Sequence, residues 1–174
     1  MRVFKEKQNY TLITTRTFNI LLIHSLATFI LLGVIWLVQL VHYPLMEFVE
    51  EARFSAFERS HREAIIWIVA PAMLIEGLTG VWLCISLPND ERRTLALMGL
   101  FLLGVIWTST VFIQIPLHDA LQTKFLSSNL DRLVATNWIR TIAWSLRSIL
   151  CFYLLVSIYK KCRPCPPKKN ANKS

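Results

Sequence analysis

The chain has 174 residues, 54% of them hydrophobic and 17% charged, with a mean hydropathy of +0.46. So few charges at this length argue against a water-soluble domain and point to the membrane class. The net charge of +8 does not call for nucleic acid: six of the nineteen Lys and Arg crowd the tail from Lys160, where anionic lipid explains them, and no zinc-finger spacing accompanies them.

Residues 1–17 are polar and Thr-rich, with Arg2, Lys5, Lys7 and Arg16. The first long apolar run, near Phe18–Pro44, exceeds the roughly 20 residues needed to cross a bilayer core of about 30 Å. It is too long for a signal peptide, and no small-residue cleavage site precedes His42. Beyond it, Leu45, Phe48, Val49, Ala52 and Ala56 recur at helical spacing, with Glu47, Glu50, Glu51 and Glu58 between them. This pattern predicts an amphipathic helix at the membrane interface, or the first helix continuing past a bend at Pro44.

The second apolar run is placed near Ala64–Leu87 and carries Pro71, Glu76, Gly77 and Gly80. A short polar turn, Pro88–Arg93, makes it antiparallel to the third run, near Thr94–Leu117. Ser128-Asn129-Leu130-Asp131 reads as a helix start, leading into the fourth run at Trp138–Tyr159. Residues 160–174 are basic and rich in Pro, Lys and Asn, a composition expected to be disordered. There Cys162 and Cys165 form a lone Cys-x-x-Cys, open to redox, soft-metal or lipidation readings with none favoured. Cys84 and Cys151 fall inside spans, so no disulfide framework is expected.

The expected fold is therefore all-α, a bundle of four transmembrane helices in one domain, residues 18–159. Twelve Lys and Arg flank the end that carries both termini, against six at the other end. That bias predicts cytoplasmic N and C termini and turns the opposite end outward. A faint repeat accompanies this plan. Gly33-Val-Ile-Trp36 recurs as Gly104-Val-Ile-Trp107, each followed by a Gln (Gln39, Gln114), a Pro and a His.

The candidate site lies at the outward end. His42 closes the first run, His61 opens the second, His118 closes the third, and Asn137 and Arg140 open the fourth. Polar groups at membrane depth mark function more often than in water. Three readings stay open. His42, His61 and His118 suit a transition metal, copper, zinc or iron. Alternatively Gln39, Tyr43, Gln114, Asn137, Trp138 and Arg140 orient a lipophilic small molecule, Arg140 favouring an anionic or carbonyl group. Or these are interfacial belt residues bonded to loop backbone. Deeper in, Glu76 and Arg147 fall at similar depth and are expected to pair, since either charge alone is costly there. His24 is expected to be a satisfied core residue.

The leading functional expectation is a membrane protein with a His-lined polar pocket that binds a metal or lipophilic ligand, a small oxidoreductase being one form. A proton-coupled transporter using Glu76, and a scaffold or subunit without chemistry, are the alternatives. Enzymatic activity and oligomeric state stay open; the lipid bilayer is the expected partner. The strings Val34-Ile-Trp-Leu-Val-Gln-Leu-Val-His-Tyr-Pro44 and Thr136-Asn-Trp-Ile-Arg-Thr-Ile-Ala-Trp144 resemble a family of small bacterial four-span membrane proteins of uncharacterised activity. That resemblance implies a bacterial inner membrane. A fainter likeness, in architecture and in a span-opening Asn, is to anthrone-oxygenase-like four-span proteins, and no site residue is carried over from it.

Overall fold

The computed structural model describes residues 14–162, and those residues form helices without any strand. Six α-helices follow in order: α1 Thr15–Leu37, α2 Tyr43–Met46, α3 Glu51–Ser86, α4 Glu91–Ser109, α5 Ile115–Thr123 and α6 Ser127–Cys162. Single π-helical turns, Val38–His42 and Thr110–Gln114, weld α1 to α2 and α4 to α5. Among the described residues this makes four helical stretches long and apolar enough to cross a membrane: Thr15–Met46, Glu51–Ser86, Glu91–Thr123 and Ser127–Tyr159.

Local chemistry sets the starts and the bulges. Thr14 caps α1 by accepting the Thr17 N–H at 3.2 Å, and Asp90 caps α4 by accepting the Arg92 N–H at 3.0 Å. Each π turn stands just before a proline. Pro44 and Pro116 lack the N–H that would satisfy the carbonyl four residues back. The residue before each proline instead reaches back five positions, Tyr43 N–H to the Val38 carbonyl and Ile115 N–H to the Thr110 carbonyl. Gln39 and Gln114, each within one of these π turns, are both buried in the interior.

The core is layered along the bundle axis. At the end where α1 begins and α6 finishes, Leu21, Leu83, Leu87, Leu154 and Ile158 pack together. The middle layer joins Leu31, Ile35, Met73, Ile106 and Trp144. At the histidine end Tyr43, Met46, Phe54, Leu121, Leu130 and Leu133 close the bundle. The outside is apolar too: Leu26, Trp67, Phe101, Phe112 and Ile149 stand exposed around all four stretches. A water-soluble bundle keeps such large residues on one stripe, whereas a bilayer accepts them all round.

Two expectations about the long loop are corrected. The acidic segment is neither a separate interfacial helix nor a continuation of the first helix. The first stretch ends at Met46, and after a four-residue break α3 begins at Glu51, thirteen residues before the expected span start at Ala64. A 36-residue helix is about 54 Å long, far more than the roughly 30 Å needed to cross a bilayer core, and its first turns carry the charges. The fourth helix starts at Ser127, as the Ser-Asn-Leu-Asp pattern predicts. Residues 1–13 and 163–174, with Arg2, Lys5, Lys7 and Cys165, lie outside the described residues, as does the Cys162 side chain.

Candidate functional site

Two buried polar centres lie inside the bundle. The deeper one is built on Glu76, which is fully buried, and Arg147, which is 2% exposed. Arg147 Nε donates to Glu76 Oε1 at 2.6 Å, realising the predicted pair. Thr28 donates to the same oxygen at 2.8 Å, and Trp144 Nε1 donates to Oε2 at 3.3 Å. The other guanidinium nitrogens bond the Gly99 carbonyl and His24 Nε2, and His24 Nδ1 bonds Thr79. Side chains or carbonyls from α1, α3, α4 and α6 thus close one network. With both carboxylate oxygens and the guanidinium engaged, this centre ties the four helical stretches to one another.

The second centre sits at the histidine end. A fully buried carboxylate, Glu58, bonds His118 Nδ1 at 2.5 Å. His118 Nε2 meets the Tyr43 hydroxyl at 3.1 Å. The Arg140 guanidinium lies against that phenol and over the Trp144 ring, 5.4 Å from its centroid. Arg140 is 8% exposed, its Nε has no hydrogen-bond partner, and it pairs with no carboxylate among the described residues. A buried cation without a counter-ion is costly, and the groups that face it here are the Tyr43 phenol and the Trp144 ring.

Tyr43, His118, Arg140 and Trp144 line one end of a cavity of about 300 Å³, with Glu58 behind His118. Its walls come from α1 (Leu31, Val34, Ile35), α3 (His61 to Met73), the second π turn and α5, with Arg140 and Trp144 of α6 at the back. From Arg62 to Met73 it follows eleven residues of α3, about 16 Å. Ile66 and Ile115, 56% and 43% exposed, stand at its rim between α3 and α5, on the face the other exposed apolar residues share. A mostly apolar chamber with a few convergent polar groups is the usual form of a small-molecule site. Arg62 marks its polar mouth, held by Asp119 at 2.6 Å and Gln122 at 2.7 Å.

The residues expected from sequence divide. Tyr43, His61, Gln114, His118 and Arg140 line the cavity. Gln39 and Asn137 do not: Asn137 Nδ2 donates to Gln39 Oε1 at 2.9 Å, and Thr141 donates to that oxygen at 3.2 Å, tying α6 to the first π turn behind the site. Trp138 faces outward, 40% exposed, with its ring edge on Trp36. The three histidines do gather, with His42 and His61 ring centroids 4.2 Å apart and His61 and His118 5.9 Å apart. Their rings stack or tilt rather than converge, and both His118 nitrogens are engaged by Glu58 and Tyr43. Among the described residues, no group of three or more His, Cys, Asp or Glu is placed to hold a metal ion.

The sequence reading passed over Glu58, Arg62 and Trp144 as site residues. Glu58 is one of four acids in a segment whose pattern predicts an interfacial helix, and only its spacing of three from His61 distinguishes it. Comparison with protein-family models, curated proteins and solved structures gives no match to this chain.

Proposed function

We propose that this chain is an integral membrane protein whose cavity binds a lipophilic small molecule with an oxygen-bearing polar head. In this reading the four stretches cross the bilayer and the Lys and Arg bias keeps the termini cytoplasmic, so the histidine end lies in the outer half. The ligand enters sideways from the lipid between α3 and α5. Its apolar body lies along Val34, Ile65, Val69 and Met73, and its head meets Arg140, Tyr43 and His118.

The observation that carries this reading is the unpaired, buried Arg140 facing an apolar chamber whose rim stands among lipid-facing residues. A belt residue bonded to loop backbone would have its guanidinium satisfied and at the surface. A guanidinium in a dry site favours a carboxylate, phenolate or carbonyl oxygen by charge-assisted hydrogen bonds.

The test is to purify the protein in mild detergent, extract it with organic solvent and identify by mass spectrometry what is retained beyond bulk lipid. Wild type is expected to release one oxygen-bearing lipophile in stoichiometric amount. Val69→Trp, which fills the chamber without touching its polar end, is expected to release none. Identical extracts from the two proteins would count against the reading.

A further inference from the structure

We propose that Glu58, His118 and Tyr43 form a proton relay that ionises an acidic hydroxyl of the bound molecule, a phenol or an enol, opposite Arg140. This rests on the ligand-pocket reading above and adds the chemistry of that same site.

The direction of the chain follows from the groups themselves. An ionised carboxylate only accepts, so the proton of His118 sits on Nδ1, bonded to Glu58 at 2.5 Å. Nε2 is then a base, and it accepts the Tyr43 O–H at 3.1 Å. The phenol oxygen lies beside Arg140, and Tyr43 and Arg140 both line the chamber. A ligand hydroxyl placed there meets a proton acceptor and a cation together. As its O–H bond breaks, the proton passes to Tyr43 Oη while Tyr43 passes its own to His118 Nε2. The imidazolium is held by Glu58, the ligand oxyanion by Arg140, and no electrons change hands.

Burial argues against chance packing. Glu58 is fully buried and its second oxygen has no partner, a costly position for a carboxylate whose one bond is to an imidazole. Glu58 is a positioning residue, since it does not line the chamber; Tyr43 and His118 do. The remaining ionisable neighbours are His42 and His61, stacked on each other, and Arg62, already bound to Asp119. None of them intervenes between the phenol and Nε2.

The probe is an alkyl-substituted 4-nitrophenol, whose phenolate absorbs in the visible. Its titration is followed in detergent micelles with and without the full-length protein. Bound to wild type, the probe is expected to ionise at lower pH than in empty micelles, with its ionisation constant raised about tenfold or more. Tyr43→Phe, which keeps the ring and removes the hydroxyl, is expected to bind the probe but lose most of that shift. Glu58→Gln is expected to reduce it, with thermal denaturation confirming the fold. Saturable binding with the same midpoint in wild type, Tyr43→Phe and micelles would overturn the relay alone. No saturable binding to wild type would overturn the pocket reading and the relay with it.

Discussion

Replacing Arg147 by Leu is expected to destabilise the protein by about 3–5 kcal/mol, the largest effect of any single change in the bundle. The substitution removes the 2.6 Å bond to Glu76 and leaves that carboxylate fully buried with only Thr28 and Trp144 as donors. It also removes the second hydrogen bond to the Gly99 carbonyl, which keeps its helical one, and strands one nitrogen of His24. Removing one partner of a buried pair costs more than removing both, because the survivor keeps its desolvation penalty. The double variant Glu76→Gln with Arg147→Met should therefore be more stable than Arg147→Leu. Cys84 and Cys151 are buried and free, so thiol labelling during denaturation, in a background with Cys162 and Cys165 changed to Ser, reports opening of the bundle. Equal denaturation of wild type and Arg147→Leu would show that the network does not hold the helices in register. Loss of a pH-dependent flux in Glu76→Gln, with stability unchanged, would favour the transporter reading.

Arg140→Leu is expected to behave in the opposite way. Ligand affinity should fall about ten- to a hundredfold, the value of a charge-assisted hydrogen bond in a dry site. Stability without ligand should stay level or rise, since the change removes a buried cation that no carboxylate balances. The two buried arginines thus differ by what faces them. Arg147 is enclosed by protein acceptors, whereas Arg140 meets a phenol, an indole face and a cavity. Titration of an alkyl 4-nitrophenol together with thermal denaturation of the same samples checks both halves. A variant that loses stability as severely as Arg147→Leu would place Arg140 in the scaffold instead.

Much of this arrangement was legible in the residues, for identifiable reasons. The long apolar runs report their own length, and Glu76 and Arg147 report each other because an isolated charge at that depth is too costly. The gathering of His42, His61 and His118 followed from their shared end of the bundle. What escaped was local. A π turn before Pro44 shifts the phase of the helix, so projecting Gln39 and Tyr43 at 100° per residue could not tell which one reaches the cavity. Gln39 turned out to bind Asn137, and Tyr43 the site. Glu58 was hidden because α3 begins thirteen residues before the apolar run, in a charged segment where an acid reads as a solvated face. Its burial depends on α5 and His118 folding over it, a tertiary fact that no periodicity records. The metal expectation rested on the convergence of three histidines at one end of the bundle, but ring orientation and the engagement of both His118 nitrogens decide whether imidazoles can ligate.

The most direct test of the proposed opening of the cavity to lipid is photolabelling in liposomes with an alkylphenol that carries a diazirine on its chain, followed by mapping of the labelled residues. The account predicts label concentrated on the chamber wall, at Ile66, Val69 and Thr110, and its removal by excess untagged phenol. Label spread over outward-facing residues such as Trp67 and Phe112, and unaffected by competitor, would contradict it.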